Sequence, residues 1–301
     1  MRVLVTGITG QVGGALAARP APAGVTWIPA GRDRLDLAAP GSIAAALAGL
    51  APDAVVNPAA YTAVDSAETD AETAFRVNRD GPAALAEACA ARGIPLLHLS
   101  TDYVFDGTGS RPYRTDDPVA PLGVYGASKE AGEQAIRGAH ADHVILRTAW
   151  VYAAQGKNFL NTMLRVGSDR DELRVVADQH GTPTPAGDIA DAIAAILEAR
   201  LGGRPIRGTF HYTAAGATTW HGFAEAIFRR AGRHWGRRPA VQAIATADYP
   251  TPARRPAYSV LDNAALDAAL SGFGPVPRRS WEAALNAVLD ERLGPLPETD
   301  R

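Results

Sequence analysis

Short, almost uninterrupted apolar runs alternate with longer stretches of mixed polarity through the first half of the chain. The apolar runs cover residues 2–6, 53–57, 94–100 and 143–148. This composition is typical of strands that are buried on both faces of a parallel sheet. The stretches between them that have the length and composition of helices are residues 42–50, 70–92 and 126–138, with a possible kink of the second at Gly81–Pro82. Because strands and helices alternate, the sequence predicts an α/β fold built on a doubly wound parallel sheet.

The pattern changes after about residue 150. Helical stretches then predominate, at residues 158–167, 187–200, 219–232 and 280–293. Short strand patterns lie between them, at residues 173–176 and 209–212. We therefore expect a main domain over residues 1–150. Residues 151–301 are expected to form a smaller C-terminal α/β domain, with some segments returning to the main sheet.

Composition and charge exclude several classes of protein. The chain of 301 residues is 47% hydrophobic and carries a formal net charge of −2, with no polybasic run. We therefore expect no binding to nucleic acid or to a membrane surface. The longest uncharged stretch, residues 37–52, is interrupted by proline and glycine, so it does not predict a membrane span. The single cysteine, Cys89, allows no internal disulfide, and Met1 leads directly into a strand, so we expect a cytoplasmic protein.

A glycine-rich turn follows the first predicted strand. In "VTGITGQVG", Gly7, Gly10 and Gly13 have G-x-x-G-x-x-G spacing and open a helix. Glycine allows a tight turn there and lets the backbone approach a pyrophosphate at the helix N-terminus. The context predicts a Rossmann-type dinucleotide site rather than an ordinary strand–helix turn. The expected contacts with the cofactor are Gly7, Thr9, Gly10, Gln11, Val12 and Gly13.

The end of the second predicted strand bears on which dinucleotide binds. An acidic residue there would bind the ribose 2′-hydroxyl of NAD, but the segment "PAGRDRLDL" presents Arg32 first. A guanidinium at that edge pairs well with a 2′-phosphate, so we expect NADPH, with NADH as the alternative. Asp36, followed by Leu37, would face the adenine or serve only as a surface turn. Two small residues after residue 57 are further expected cofactor contacts, Ala59 and Ala60. So are Tyr125 and Lys129, because the donors of the lysine could hold the nicotinamide ribose.

Tyr125 and Lys129 stand four residues apart at the start of a predicted helix, so they project from the same face. The lysine is conspicuous because the chain contains 28 arginines and only two lysines. A free tyrosine has a pKa of about 10, which suits acid–base work near pH 7 poorly. A nearby ammonium and an oxidised nicotinamide would both lower that pKa. The pair predicts a tyrosine acid with a lysine partner, although this spacing also arises by chance.

The apolar run at residues 94–100 ends in the polar residues Ser100, Thr101 and Asp102. They should lie at the carboxyl edge of the sheet, where ligands bind in such folds. Thr101 would hydrogen-bond a substrate carbonyl or the oxygen of Tyr125, unless its hydroxyl only caps the turn. Thr101, Tyr125 and Lys129 are therefore the candidate catalytic set.

These elements, in this order, resemble the extended short-chain dehydrogenase/reductase family. Three segments are specifically similar to its dTDP-4-dehydrorhamnose reductase branch, "AAYTAVDSAE", "DQHGTPT" and "RPAYSVLD". The resemblance runs along nearly the whole chain. It implies NADPH-dependent reduction of the 4-keto group of dTDP-4-dehydro-β-L-rhamnose to dTDP-β-L-rhamnose. In that reaction Tyr125 would protonate the forming alkoxide while hydride reaches carbon 4.

The resemblance also implies which side chains contact the dTDP-4-ketosugar. These are Thr62, Val64, Thr101, Tyr103, Trp150, Asn158 and Arg255, with Gln179 and Thr182 as weaker candidates. Trp150 would form an aromatic wall of the pocket or merely pack in the core. Arg255 would bind the diphosphate, or would form only a surface ion pair. Residues 1–150 would then bind NADP(H), and residues 151–301 would mainly bind the substrate.

Assembly and exact function stay open. Some members of the family pair through a metal-bridged acidic cluster, but Ala15 stands where that cluster has a glutamate. Asp188 and Asp191 alone make a poor magnesium site, so we expect no metal, and either a monomer or a homodimer. The alternatives for function are reduction of another dTDP-4-keto-6-deoxysugar in a secondary-metabolite pathway and a non-catalytic NADP-binding regulatory subunit. The intact Thr–Tyr–Lys set argues against the regulatory alternative.

Overall fold

A computed structural model of the protein describes residues 1–273, 276 and 278–296. The strands in these residues are β1 (Arg2–Val5), β2 (Thr26–Pro29), β3 (Ala54–Asn57), β4 (Leu96–Thr101), β5 (His143–Thr148), β6 (Val151–Tyr152), β7 (Glu172–Val176), β8 (His180–Gly181), β9 (Thr184–Pro185), β10 (Gly208–His211), β11 (Thr218–Thr219) and β12 (Ala240–Ile244). The helices are α1 (Gln11–Ala18), α2 (Pro40–Leu50), α3 (Val64–Ala67), α4 (Ala71–Phe75), α5 (Gly81–Arg92), α6 (Val124–Ala139), α7 (Phe159–Gly167), α8 (Ala186–Leu201), α9 (Trp220–Trp235), α10 (Ala264–Leu270) and α11 (Trp281–Leu293).

The central sheet contains six parallel strands in the order β10-β5-β4-β3-β1-β2. The chain first winds from β1 to β2 and then crosses back to β3, so the direction of winding reverses between β1 and β3. In open α/β sheets, ligands bind outside the carboxyl ends of the strands at such a reversal. The observed topology confirms the predicted α/β fold with a Rossmann-type doubly wound parallel sheet.

Burial explains why the strands read as apolar runs. Every residue of β3 and of β4 is buried, because helices cover both faces of the sheet. One face packs on α1 and α8, and the other packs on α2, α5 and α6. Cys89 of α5 is fully buried in the second of these layers, as expected for a structural thiol. The four apolar runs of the first half match β1, β3, β4 and β5 to within two residues at each end.

The long helix predicted over residues 70–92 is divided. A π-helical turn, Arg76–Asp80, joins α4 to α5 directly before Gly81 and Pro82. Proline lacks an N–H and crowds the carbonyl one turn back, and a wider turn relieves that conflict. The turn brings buried Asn78 to the backbone of Tyr61, with hydrogen bonds of 2.8 and 3.0 Å, and to the Ser128 hydroxyl at 3.0 Å. The loop after β3 is thereby tied to α6.

The second half of the chain contributes to two packing units. Helices α7, α9 and α11 enclose a separate apolar cluster with β7. In contrast, β10 extends the main sheet beside β5, and α8 packs on α1. The predicted division into domains at residue 150 stays a prediction, and residues 274, 275, 277 and 297–301 of the second domain lie outside the described residues. No helix within the described ranges is both long and apolar enough to traverse a bilayer.

Candidate active site

The glycine turn between β1 and α1 lies against the segment that follows β3. Gly7 has a φ of +58°, and a Cβ there would approach Cα of Ala59 to 2.9 Å. A Cβ on Gly13 would lie 2.2 Å from the carbonyl oxygen of Gly7, so α1 can begin this close to the turn only with glycine. Gly10 offers no capping side chain, and the first turn of α1 has no acidic residue. The amide groups there are suited to a pyrophosphate, and the turn fits a dinucleotide.

The other predicted cofactor residues lie around this turn. Thr9 is exposed and Val12 is buried beneath it. Arg32 is exposed just beyond the end of β2, whereas Arg34 donates to the carbonyl oxygen of Pro29 at 2.8 Å. The carboxylate of Asp36 accepts from the amide of Ala38 at 2.9 Å, which is the local turn foreseen as one of its two roles. Leu37 is buried, and Ala60 lies in the loop after β3.

Helix α6 places Tyr125 in its first turn. The carboxylate of Glu68 accepts a hydrogen bond from the amide of Val124 at 2.9 Å, which anchors the start of this helix. Burial raises the pKa of Tyr125 to about 12, while hydrogen bonding by the Thr101 hydroxyl lowers it. A pKa lowered by the neighbouring ammonium and by oxidised nicotinamide was expected from the sequence. In the protein chain itself burial outweighs the opposing effect, so the phenol holds its proton firmly at neutral pH.

Thr101 is the last residue of β4 and is oriented by its neighbours. Its hydroxyl donates to the carboxylate of Asp102 at 3.0 Å and accepts from the amide of Tyr103 at 3.2 Å. Burial raises the pKa of Asp102 to about 6, so this carboxylate is mainly ionised at pH 7. Thr101 therefore caps the turn after β4, which is one of the two roles expected for it, and it also lies within hydrogen-bonding reach of Tyr125.

Lys129 follows one turn later on α6 and is fully enclosed. Its Nζ donates to the carbonyl oxygen of Leu99 at 2.7 Å and lies 3.2 Å from Nε2 of His98. Burial lowers the pKa of Lys129 to about 8, while the carboxylate of Glu133 acts in the opposite direction. The lysine therefore titrates much closer to neutral pH than an exposed lysine does.

Aromatic rings surround this edge of the sheet. Tyr103 lies edge-on to Tyr125, with ring centroids 5.6 Å apart. Trp150 has a φ of +48° and stacks on Trp220, with centroids 3.6 Å apart and planes within 7°. Both tryptophans are only half-buried, so the stacked pair keeps accessible surface. This arrangement favours the predicted aromatic wall over simple core packing.

Arg255 is engaged by a carboxylate that the sequence analysis did not connect with it. Asp65 binds the guanidinium at two points, 2.9 and 2.7 Å, and this lowers the pKa of Asp65. The ion pair is one of the two roles left open for Arg255. The guanidinium also acts electrostatically on Tyr103, so it stands close to the tyrosine pair. Two residues predicted to face the sugar directly precede Asp65, exposed Thr62 and half-buried Val64.

Asn158 occupies a structural position rather than an open one. It caps α7 by accepting from the amide of Asn161 at 2.9 Å, and it donates to Oε1 of Gln11 at 2.9 Å. Gln11 in turn donates to the carbonyl oxygen of Val151 at 3.2 Å. These bonds connect the C-terminal half to the glycine turn, and they occupy the amide that was predicted to bind substrate. The weaker candidates are also engaged internally, Gln179 with Thr246 at 3.0 Å and Thr182 with the backbone of Gly216 at 2.8 Å.

The acidic residues considered for a metal lie in ion pairs. Asp188 binds Arg279, and Asp191 binds Arg19. Among the residues that the structure describes, no group of three or more His, Cys, Asp or Glu side chains is arranged to hold a metal ion. Ala15 packs against the core layer of α1 and α8. Whether the protein is a monomer or a homodimer stays a prediction.

Four residues of the site were missed by the sequence analysis: Asp65, Glu68, His98 and Trp220. Trp220 and Asp65 meet their partners only through tertiary contacts, so no local pattern marks them. His98 is different, because it is a polar residue inside β4, every position of which is buried. That contrast was a usable signal, since a buried polar side chain requires a partner.

Comparison with known proteins identifies the family of this chain. The profile of the RmlD substrate binding domain matches residues 1–293. The chain belongs to the RmlD substrate binding domain family. This agrees with the family resemblance carried by its motifs.

Individual relatives match most of the chain. A Sinorhizobium fredii protein named dTDP-4-dehydrorhamnose reductase is 48% identical over 263 residues, 87% of this chain and 88% of that protein. A Streptomyces antibioticus protein named probable dTDP-4,6-dihydroxy-2-methyloxan-3-one 4-ketoreductase is 41% identical over 295 residues, 97% of this chain and 96% of that protein. The crystal structure of dTDP-4-dehydrorhamnose reductase from Bacillus anthracis in complex with NADP matches with a TM-score of 0.86 at 34% identity, covering 96% of this chain and 99% of the other.

Proposed function

We propose that this protein is an NADPH-dependent reductase that converts dTDP-4-dehydro-β-L-rhamnose to dTDP-β-L-rhamnose. The observation that carries the proposal is the set of buried Thr101, half-buried Tyr125 and buried Lys129 at the carboxyl edge of the sheet, beside a turn shaped for a dinucleotide. Membership of the RmlD family and the names of its close relatives support the same activity.

The cofactor fits the glycine turn, and when bound it supplies the hydride for carbon 4. Gly7, Gly10 and Gly13 would bind its pyrophosphate through backbone amides. Arg32 would pair with the 2′-phosphate, and this preference for NADPH is supported by its exposed position at the end of β2. Ala59 leaves room for close approach because it is small and lies against Gly7.

The chain's own residues handle the proton. Tyr125 donates its hydroxyl proton to the carbon-4 oxygen as that oxygen becomes an alkoxide, a contribution of typically about 10² to 10⁴ in rate. Thr101 would then turn its single O–H from Asp102 to the phenolate, and a hydrogen bond from Thr101 lowers the pKa of Tyr125. Lys129 supplies positive charge at the same edge while it is protonated.

Substrate binding would use the groups around the tyrosine pair. Trp150 and Trp220 offer a flat apolar face to a ring of the sugar nucleotide. Arg255 would bind the diphosphate after exchanging Asp65 for phosphate oxygens, because a guanidinium binds both kinds of anion in a bidentate way. Thr62, Val64 and Tyr103 are proposed to contact the sugar.

A second candidate function is reduction of another dTDP-4-keto-6-deoxysugar. The Streptomyces antibioticus relative supports it, since its name describes 4-ketoreduction of a different dTDP-sugar. The deciding experiment assays a panel of dTDP-4-ketosugars with NADPH and with NADH, and determines the product configuration at carbon 4 by NMR. Efficient turnover of dTDP-4-dehydro-β-L-rhamnose to the rhamno product supports the main proposal. NADPH binding without oxidation by any member of the panel would instead favour the regulatory subunit.

A further inference from the structure

A line of buried polar side chains connects the end of β1 to Lys129 across three neighbouring strands. Oγ1 of Thr6 lies 2.5 Å from Oδ1 of Asn57, and Nδ2 of Asn57 lies 2.9 Å from Nδ1 of His98. Nε2 of His98 then lies 3.2 Å from Nζ of Lys129. None of these four residues is more than 2% exposed. Each donor must therefore find its acceptor within the line or in the backbone, because bulk water does not reach it.

The chemistry of imidazole restricts how protons are placed along this line. Burial and the neighbouring lysine hold the pKa of His98 well below its usual range, so the ring is neutral. A neutral imidazole carries one N–H, so one ring nitrogen donates and the other accepts. An amide side chain, in contrast, can present either its oxygen or its NH₂ group to the same neighbour after turning over.

Two arrangements therefore give both ring nitrogens of His98 a complementary partner. In the first, Asn57 donates to Nδ1, and the N–H at Nε2 of His98 donates to a neutral amine at Lys129. In the second, the amide of Asn57 is turned over and accepts from Nδ1–H, and Nε2 of His98 accepts from the ammonium of Lys129. The hydroxyl of Thr6 serves both, because it can donate or accept. The tautomer of His98 is thus coupled to the charge of Lys129.

The charged groups near Lys129 do not replace this partner. Glu133, one turn along α6, raises the pKa of Lys129, but its carboxylate is bound by Arg147 of β5 at 2.6 Å. Asp102 acts electrostatically on Tyr125 and raises its pKa. With Glu133 shared, the hydrogen-bond acceptors that contact Nζ are the carbonyl oxygen of Leu99 and the ring of His98.

We propose that His98 is a positioning residue that fixes Nζ of Lys129 and, together with Asn57, stabilises the lysine in the core in both of its protonation states. The role of this arrangement in turnover rests on the proposed reductase function. Tyr125 gives up a proton in every turnover, close to Lys129. Because the lysine is stable with and without its own proton, its charge can change in response without any buried group losing its hydrogen-bond partner.

The test uses the scarcity of lysine in this chain. Protein labelled with ¹³C at Cε of lysine gives two signals, from Lys129 and exposed Lys157, which a Lys157→Arg variant assigns. Without any ligand, the signal of Lys129 should titrate near pH 8. His98→Leu removes both ring nitrogens and should lower that midpoint by about 0.5 to 1 pH unit, because hydrogen bonds to charged groups are the stronger ones. An unchanged midpoint would overturn the proposal.

A second measurement is read from the wild-type ring, in case His98→Leu does not fold, and uses the more conservative His98→Gln only to assign its signals. The ¹⁵N shifts of the His98 ring, assigned among the seven histidines with His98→Gln, distinguish the two tautomers. The N–H should move from Nδ1 to Nε2 as Lys129 loses its proton. A single tautomer throughout the titration would also overturn the proposal.

Turnover then separates positioning from a purely structural role. In His98→Leu the alkaline limb of the kcat profile should move down by the same amount as the midpoint of Lys129. A uniform fall in kcat at every pH would mean that His98 only supports the fold. Both NMR measurements use protein without substrate, so they test the role of His98 even if the ketosugar is not reduced. Failure to reduce the ketosugar would count against the proposed function alone.

Discussion

Lys129 is expected to destabilise the fold that it serves. An ammonium enclosed in the core has lost its hydration, and the resulting pKa of about 8 measures that loss against an ordinary value of 10.5. Replacing it with methionine keeps an unbranched chain of similar length and removes the charge. We therefore predict that Lys129→Met abolishes turnover and yet raises the free energy of unfolding at neutral pH.

The magnitude follows from the difference between the folded and unfolded pKa values. At about 1.4 kcal/mol per pH unit, the buried charge destabilises the folded state by about 3 kcal/mol at pH 7. The folded pKa is the lower one, so the folded protein holds fewer protons than the unfolded chain between pH 8 and 10.5. The penalty is therefore complete below pH 8 and disappears as the pH rises to 10.5, with about 1 kcal/mol left at pH 10. The lost hydrogen bonds to Leu99 and His98 reduce the gain from the substitution by about 1 kcal/mol.

The assay is urea unfolding of both proteins at pH 7 and at pH 10. We expect the variant to be more stable by about 2 kcal/mol at pH 7 and nearly equal to the wild type at pH 10. Lys157→Met is the matched control, because Lys157 is exposed and its replacement should change neither value by more than about 0.5 kcal/mol. A variant at position 129 that is less stable than the wild type at pH 7, or whose gain does not shrink at pH 10, would refute the reasoning.

Three further predictions concern other parts of the molecule. Tyr125→Phe should lower kcat by about 10² to 10⁴ with NADPH affinity nearly unchanged. Tyr103→Phe is the control on the adjacent ring and should keep kcat within about tenfold. Equal losses of kcat for the two variants in steady-state assays would show that Tyr125 is not the acid. Arg32→Ala should weaken binding of NADPH more than that of NADH in fluorescence titrations, and equal weakening of both would exclude the 2′-phosphate role. Arg147→Met leaves buried Glu133 paired with the partly exposed Arg137 at 2.9 Å, and it should lower the free energy of unfolding in urea by about 3 kcal/mol, the lower end for breaking a buried pair; a loss under about 1 kcal/mol would show that Arg137 alone compensates the charge of Glu133.

Most of the central fold could be predicted because its signals are local. Strands β3 and β4 are buried at every position, so nearly every residue of these runs must be apolar. Prediction was less complete where local rules conflict. The helix expected over residues 70–92 contains a π-helical turn before Pro82, and this turn, not the helix pattern, carries Asn78 to α6.

The site was predicted unevenly for a related reason. The glycine turn and the Tyr125–Lys129 pair span a few residues each, so spacing alone reveals them. Asn158 was expected to bind substrate, but a cap on α7 and a bond to Gln11 occupy its amide, and the partner lies 147 positions away. No pattern within a single segment contains that information.

The sequence by itself determined which groups can react: a phenol, an ammonium and a hydroxyl at the end of a buried strand, next to a turn that only glycine can form. Tertiary structure decided the acidity of those groups. The pKa of Tyr125 rises and that of Lys129 falls because other elements cover them and remove water, and burial is a property of the assembled layers. It also decided the partners, such as Asp65 for Arg255 across 190 positions and His98 for Lys129, since contacts between distant segments exist only after the sheet and its helices have packed.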